Sequence, residues 1–200
     1  MWNEKFDRPD HLYGTEPNDF LKGSFDWIPK PGKVISLGEG EGRNAVFLAQ
    51  MGYEVFAVDS SSVGLEKTRK LALEKGVQVF TEEADLKSFD LGTGKWDGVV
   101  MIFCHLPSSL RVPLWNRISK SLKRGGVLLI ELYSPQQLDA TRAGRSIGGP
   151  KDLDLMVTVD EIRTAFPAAE FKVLRAVDRD IHEGIGHRGP SHTVQVLARL

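Results

Sequence analysis

Cysteine is nearly absent from this chain of 200 residues, in which Cys104 stands alone. An internal disulfide is therefore excluded, and the fold needs no oxidising compartment. Long apolar runs are also missing, since no stretch reaches the roughly 20 residues that span a bilayer. The opening MWNEKFDRPD lacks the basic and apolar regions of a signal peptide. We expect a cytoplasmic protein that is neither exported nor embedded in a membrane.

An excess of charge of either sign is missing as well. The chain has 26 basic and 27 acidic residues, so no general field attracts a nucleic acid or an anionic membrane. Hydrophobic residues make up 41% and charged residues 26%, which is ordinary for a globular protein. We expect one domain over residues 1–200, with an N-terminal segment at 1–30 and a core at 31–200. The sequence does not predict the oligomeric state.

Strand and helix patterns alternate over roughly the first 134 residues. Five apolar segments (KVISLG, YEVFAVD, VQVFT, WDGVVMIF and VLLIELYS) read as strands, and the segments RNAVFLAQMG, SSVGLEKTRKLALEKG and PSSLRVPLWNRISKSLKRGG read as helices, each ended by glycine. Such alternation predicts right-handed crossovers and a mostly parallel sheet. Near the end, FKVLRAVDRDI and TVQVLARL follow each other without a helix and should pair antiparallel. The predicted class is α/β, a Rossmann-like doubly wound sheet of seven strands closed by a C-terminal antiparallel hairpin.

Two further helices are predicted from their first residues. Thr15 is placed to cap a helix whose first turn holds Glu16 and Pro17. Thr158 and Glu161 have the spacing of a capping box, which predicts a helix in TVDEIRTAF.

Three glycines, Gly38, Gly40 and Gly42, lie between the first strand and the first helix. Glycine there permits a sharp turn and a close approach of the backbone to a ligand. The position matters more than the pattern, because doubly wound sheets open a ligand crevice at the carboxyl ends of their strands. Taken alone, the glycines are equally consistent with a tight turn.

Asp59 ends the second strand, 21 residues beyond Gly38. A carboxylate there can accept hydrogen bonds from both ribose hydroxyls of an adenosine group. Asp85, after the third strand, is placed to accept from the adenine amine, with Leu86 against the ring. For each aspartate alone, a helix cap is the competing interpretation.

The charge of the loop distinguishes between adenosine cofactors. A pyrophosphate needs bare N–H groups at the helix N-terminus, whereas this loop carries Glu39 and Glu41, with Arg43 in place of a third pattern glycine. Two carboxylates suit a sulfonium and an ammonium group. The loop therefore favours S-adenosyl-L-methionine (S-adenosylmethionine) over a dinucleotide.

These features resemble the class I S-adenosylmethionine-dependent methyltransferases, and the resemblance covers nearly the whole chain. The segments YGTEPNDFL, GEGRN, GYEVFAVDSS, FCHLPSSLR and GGP look like the tellurite-resistance-type and thiopurine-methyltransferase-like branch. The sequence departs from many relatives at Ser36, where they carry an acid, and at Glu39, where they carry a small residue or cysteine. Whether Glu39 contacts the cofactor stays open. The expected cofactor-binding residues are Gly38, Glu39, Gly40, Gly42, Asn44, Asp59, Ser60, Asp85, Leu86 and Phe103.

The resemblance implies methyl transfer to an acceptor, which we expect to be a small molecule such as a thiol or another soft nucleophile. Transfer from a sulfonium needs alignment, and a base only where the acceptor loses a proton. His105, Tyr13 and Tyr133 are the catalytic candidates, although a histidine hydrogen-bonded to the backbone before Pro107 is the slightly favoured interpretation of His105. Tyr13 and the aromatics Trp2, Phe6 and Phe20 either cover the cofactor or pack in the core.

His182, His187 and His192 have a spacing that suggests a metal, but they lie around a glycine turn without cysteine, so no metal site is expected. His187 and Arg188 either cover an anionic acceptor or form a solvated turn, and the solvated turn is favoured. A non-catalytic protein that binds the cofactor, a protein or RNA methyltransferase and a nucleotide-dependent oxidoreductase stay as alternative functions.

Overall fold

The computed structural model describes residues 2–200, so Met1 of the predicted N-terminal segment lies outside the described residues. Seven strands form one sheet: β1 (Lys33–Leu37), β2 (Glu54–Asp59), β3 (Phe80–Glu83), β4 (Trp96–Ile102), β5 (Leu122–Tyr133), β6 (Glu170–Glu183) and β7 (His187–Arg199). The helices are α1 (Trp2–Phe6), α2 (Asp19–Lys22), α3 (Arg43–Gln50), α4 (Ser62–Glu74), α5 (Ser108–Ser121), α6 (Gln137–Arg142) and α7 (Val159–Ala165). Short 3₁₀ turns occupy Phe25–Trp27 and Leu153–Leu155.

The strand order is β3-β2-β1-β4-β5-β7-β6. Strands β1 to β5 pair in parallel, while β7 runs antiparallel to both β5 and β6. The chain moves outward from β1 to β3 and then returns to β4, which creates a crevice where the order reverses. The prediction of a doubly wound sheet with a C-terminal antiparallel hairpin is confirmed.

Side chains on the two faces of the sheet form two separate cores. Along β5, Leu128 and Ile130 pack with Trp115 of α5 on one face, while Val127 and Leu129 pack with Leu48 of α3 on the other. Strands covered on both faces are apolar without alternation, which explains the continuous run VLLI. The buried sheet holds the carboxyl ends of its strands in fixed positions.

Two details of the predicted helices are wrong. Thr15 caps no helix, because α2 begins after Asn18, whose Oδ1 accepts the Leu21 N–H at 2.9 Å. Asn18 is held there by buried carboxylates of β5 and β6, a tertiary constraint that local sequence does not carry. The helix α5 ends at Ser121 rather than at the glycines, which belong to β5. The cap at Thr158 is confirmed, since its hydroxyl accepts the Glu161 N–H.

Gly42 joins the loop to α3 in the left-handed region, with φ of 95°. A Cβ atom at this position would lie 2.7 Å from Thr68 Cα of α4. Gly52 has a similar φ of 89°, but a Cβ there would meet nothing within 4 Å. A side chain would therefore strain the backbone at both positions, but it would disturb helix packing only at Gly42.

We expect Gly42→Ala to lower the free energy of unfolding more than Gly52→Ala, measured by urea denaturation. Both variants place alanine in the left-handed region, at a cost of about 1–2 kcal/mol. Gly42→Ala alone also pushes α4 from α3, which adds about 1–3 kcal/mol of overpacking. Equal losses in the two variants would show that the close approach of α4 to the loop is incorrect.

Candidate functional site

The carboxyl ends of β1, β2 and β4 open onto a crevice. The crevice brings together most of the predicted site residues: Tyr13, Gly38, Glu39, Gly40, Asn44, Asp59, Ser60, Asp85, Leu86, Phe103 and His105. Gly42 and Tyr133 lie outside its lining.

Gly38 and Gly40 form the floor of the crevice, with φ of 65° and 67°. A Cβ atom on Gly38 would lie 2.3 Å from the Sγ of Cys104, and one on Gly40 would lie 3.1 Å from the ring of Phe6. Both positions favour glycine by their conformation, and Gly38 also lacks the space for a side chain. Desolvation raises the pKa of the Cys104 thiol, which therefore stays protonated and packs against the floor.

The Asp59 carboxylate joins the glycine loop to the start of α4. Its Oδ2 accepts the Gly40 N–H at 2.9 Å, and its Oδ1 accepts the Ser61 N–H at 2.8 Å. Burial raises the pKa of Asp59, and these N–H groups oppose that rise. Each oxygen retains acceptor capacity, because a carboxylate offers about four lone-pair sites. Asp59 therefore holds the loop and still presents acceptors to the crevice.

Glu39 turns its carboxylate onto the N-terminus of α3. Its Oε1 accepts the N–H groups of Asn44 at 3.0 Å and Ala45 at 2.9 Å, and its Oε2 accepts the hydroxyl of Ser36. Burial raises the pKa of Glu39, while the Ser36 hydroxyl opposes the shift. The carboxylate occupies the helix donors that an anionic ligand would otherwise bind. Its role is a helix cap at the edge of the crevice.

Glu41 points away from the crevice, unlike Glu39. Its Oε1 lies 2.8 Å from Nζ of Lys67, and its Oε2 accepts the Tyr13 N–H at 3.4 Å. The loop sequence predicts both glutamates beside the ligand, but only Glu39 lines the crevice, so the loop offers less negative charge to a ligand than predicted. Glu41 instead ties the N-terminal segment to α4.

Asp85 and Leu86 line the far end of the crevice, beyond β3. Asp85 precedes a turn at residues 86–88 rather than a helix, and its Oδ1 accepts the Lys87 N–H at 2.8 Å. The helix-cap alternative for this residue is therefore wrong, although the side chain does fold onto its own backbone.

The other end of the crevice is walled by aromatic and imidazole rings. Tyr13 packs on His187 with ring centroids 4.3 Å apart, and Phe103 lies 4.6 Å from His187 and 6.2 Å from His105. Phe103 has φ of 50°, a strained conformation for a residue with a side chain. Tyr133 stacks behind Phe103 at 4.7 Å and is fully buried, so it supports this wall from outside the crevice.

His187 lines the crevice, whereas the sequence favours a solvated turn at this residue. The turn between β6 and β7 folds over the N-terminal segment, where Ile185 and Gly186 donate N–H groups to the Leu12 carbonyl. His187 is consequently only 5% exposed, and the expected solvated turn is wrong at this residue. Its position depends on a contact between residues more than 170 apart in sequence, which no local pattern indicates.

Arg43, seen in the sequence only as a departure from a glycine pattern, is a buried part of the crevice wall. Its Nη2 lies 2.6 Å from Glu183 Oε2, and Glu183 also accepts from Arg179 at 2.5 Å and Asn18 at 3.0 Å. Arg179 in turn pairs with the buried Glu131 at 3.0 Å. These charges join α3, the N-terminal segment and the hairpin, and each has an opposite partner.

The three histidines near the hairpin do not converge. His182 pairs with Asp180 and His192 with Asp178 near the surface, while His187 faces the crevice. Among residues 2–200, no group of three histidine, cysteine or acidic side chains is placed to hold a metal ion. In the same range, no helix is both long and apolar enough to cross a bilayer.

Comparisons with known proteins give a consistent picture. Residues 34–126 match the family model described as a methyltransferase domain. A cypemycin N-terminal methyltransferase from a Streptomyces species is 30% identical over 135 residues, which cover 64% of this chain and 53% of the relative. The tRNA 5-carboxymethoxyuridine methyltransferase of Escherichia coli K12 is 26% identical over 152 residues, 68% of this chain and 56% of the relative. The chain thus spans about half the length of these curated relatives.

The structure of TehB from Haemophilus influenzae superposes with a TM-score of 0.70 at 19% identity, covering 90% of this chain and 61% of that one. At 19% sequence identity, this structural similarity shows a shared fold and nothing further. Residues 34–126, which match the methyltransferase-domain model, take in nearly all of β1 together with β2, β4 and the glycine loop that forms the crevice floor.

We expect Glu39→Ala to lower the free energy of unfolding by about 2 kcal/mol, because two buried N–H groups and a hydroxyl lose their acceptor. Glu39→Gln keeps a carbonyl oxygen for the N–H groups and an amide for Ser36 Oγ. It should therefore lose clearly less stability in urea denaturation. If glutamine were as damaging as alanine, hydrogen bonding to α3 would not be the role of this side chain.

The buried histidines predict acid sensitivity. Burial, followed by the charge of Arg43, lowers the pKa of His187 well below its usual 6.5. Below pH 6.5 the unfolded chain binds a proton that the folded chain refuses, so the free energy of unfolding decreases as pH falls. We expect His187→Gln to weaken this decrease between pH 7 and 5 in denaturant titrations. The exposed His182→Gln serves as control, and an equal slope in both variants would contradict the burial of His187.

Proposed function

We propose that this chain, with its methyltransferase domain at residues 34–126, transfers a methyl group from S-adenosylmethionine to a small-molecule acceptor such as a thiol or another soft nucleophile. The observation that carries the proposal is the arrangement of Asp59, whose carboxylate fixes Gly40 and faces the crevice. We propose that residues 1–200 form one domain, in which residues 1–30 cover the crevice. We also propose a cytoplasmic location, because the lone Cys104 needs no oxidising compartment.

The residues present fit this cofactor. Gly38 and Gly40 leave room for the amino-acid end, Asp59 offers acceptors to the ribose hydroxyls, and Leu86 supplies an apolar surface for adenine. Asp85 is proposed to accept from the adenine amine. The proposed set of contacts is completed by Asn44, Ser60 and Phe103. Glu39 contributes indirectly by capping α3, and Gly42 contributes by holding the loop conformation.

A dinucleotide fits less well, and this argues against an oxidoreductase. Pyrophosphate binds the free N–H groups at the N-terminus of the first helix. In this chain the N–H groups of Asn44 and Ala45 donate to the Glu39 carboxylate. An incoming pyrophosphate would have to displace that carboxylate and face its charge, at a cost that an uncharged or cationic ligand avoids.

When bound, the cofactor supplies an electrophilic methyl group on a positively charged sulfur. The chain contributes alignment and exclusion of water, for which the cover of Trp2, Phe6 and Tyr13 is suited. The acceptor side is proposed at Tyr13 and His105, with Tyr133 acting indirectly by stacking behind Phe103.

Two observations favour a second candidate, a macromolecular acceptor. The relatives named above act, by their names, on a peptide N-terminus and on tRNA. Against this stands the balance of 26 basic and 27 acidic residues, which provides no general attraction for a phosphate backbone. The motifs YGTEPNDFL and GEGRN resemble the tellurite-resistance-type and thiopurine-methyltransferase-like branch, a resemblance that is less specific about the acceptor. A non-catalytic role would be favoured if the cofactor bound without any turnover.

Calorimetric titration with S-adenosylmethionine and S-adenosylhomocysteine tests the proposal, followed by detection of S-adenosylhomocysteine formed with small thiols, peptides and tRNA. The proposal expects binding of both cofactor forms and product with a small acceptor. A folded protein that binds neither form would reject it, and product formed with tRNA or peptide alone would favour the second candidate.

We expect Asp59→Ala to weaken S-adenosylhomocysteine binding by about 10- to 100-fold, because charge-assisted hydrogen bonds to the ribose are lost. Asp160→Ala, a change at an exposed carboxylate of α7, should leave the affinity unchanged. Circular dichroism of both variants checks that they fold. Unaltered affinity in a folded Asp59→Ala protein would show that the ribose is bound elsewhere.

A further inference from the structure

The imidazoles of His105 and His187 both line the crevice beside Phe103, and each has a buried ring nitrogen without a partner among residues 2–200. These are Nε2 of His105 and Nδ1 of His187. A buried acceptor or donor left without a partner costs free energy. An incoming molecule that supplies the partner therefore gains affinity at this place.

The protonation state of His105 follows from its other nitrogen. Nδ1 lies 3.1 Å from the carbonyl oxygen of Leu155, which only accepts hydrogen bonds. Nδ1 therefore carries the hydrogen, and Nε2 of the neutral ring holds a lone pair. Burial lowers the pKa of His105 to about 4, so the ring is neutral at pH 7. A neutral ring in this tautomer can accept a hydrogen bond from a bound molecule. Because its pKa is low, it takes the proton only as methyl transfer places positive charge on the acceptor atom and makes its hydrogen acidic.

The surrounding charges show which acceptors fit. Arg43, the cation in this part of the wall, is already paired with Glu183 at 2.6 Å. The remaining walls are the rings of Tyr13, Phe103 and His187. A carboxylate or oxyanion placed here would lose its hydration without gaining a free cation, which is costly. An uncharged acceptor avoids that cost.

On the premise of the proposed function, we propose that the acceptor binds as an uncharged nucleophile bearing an S–H or N–H bond, and that His105 Nε2 accepts its proton during methyl transfer. The acceptor atom forms its bond to the methyl carbon with a lone pair, while the electron pair of the broken carbon–sulfur bond stays on the cofactor sulfur. The electron pair of the S–H or N–H bond stays on the acceptor, and its proton moves to Nε2. His187 stabilises the bound acceptor through its Nδ1.

Matched ligands test the charge requirement without turnover. Benzyl mercaptan is uncharged near pH 7 and phenylacetate is an anion with the same ring, so the pair isolates charge at similar size. In calorimetric titration of the S-adenosylhomocysteine complex, benzyl mercaptan should bind at least tenfold more tightly. Phenylacetate binding as well as the thiol, or a thiol that does not bind, would overturn the proposal.

Two further measurements test the role of His105. Nitrogen NMR of the wild-type protein should show Nδ1 protonated and Nε2 unprotonated at pH 7. His105→Ala should lower kcat with benzyl mercaptan about 100-fold, leave the KM for S-adenosylmethionine within twofold, and recover activity with added imidazole. The exposed His182→Ala is the control, with unchanged kcat. A protonated Nε2, or a folded His105→Ala enzyme that keeps its kcat or gains nothing from imidazole, overturns the proposal.

These outcomes are separable from failure of the proposed function. If the wild-type protein binds no S-adenosylhomocysteine, the function itself is incorrect. If it binds the cofactor and methylates phenylacetate in preference to the thiol, methyl transfer stands and only the assignment of an uncharged acceptor is overturned.

Discussion

The Asp59 carboxylate is the constraint on which the site depends, because it fixes two backbone segments at once. It accepts N–H groups from Gly40 in the loop and from Ser61 at the start of α4. A buried carboxylate is stable only when it is hydrogen-bonded, so the loop must stay close to the end of β2. The crevice beside Gly38 and Gly40 is therefore preformed. A preformed site avoids the entropy of ordering a loop around its ligand.

A second set of buried charges joins this site to the part of the fold that covers it. Arg43 at the start of α3 pairs with Glu183 at the end of β6, and Glu183 also receives Asn18 of the N-terminal segment. Breaking one of these pairs would leave an uncompensated buried charge, which is strongly unfavourable. The wall on the acceptor side is consequently held by the hairpin, although the hairpin follows the last parallel strand by more than 30 residues.

Much of this arrangement was predictable from the sequence, since it depends on local patterns. The alternation of strands and helices, the turn at Gly38 to Gly42 and the position of Asp59 each follow from spacing along the chain. The role of Glu39 could not be assigned from the sequence, because a glutamate beside a crevice can either face a ligand or cap a helix. The direction of α3 determines which of these two roles it has. Arg43 was missed, and a solvated turn was wrongly favoured for His187, because the surroundings of both residues come from distant segments. The residues whose roles could not be predicted are thus those whose partners are distant in sequence.

The central claim is that the glycine loop and Asp59 bind the adenosyl cofactor with its sulfur directed toward the two histidines. A crystal structure of the protein with S-adenosylhomocysteine tests this most directly. We expect the ribose hydroxyls within hydrogen-bond distance of Asp59, the amino-acid end over Gly38 and Gly40, and the sulfur facing His105 and His187. A ligand bound elsewhere, or a sulfur directed away from both imidazoles, would contradict the account.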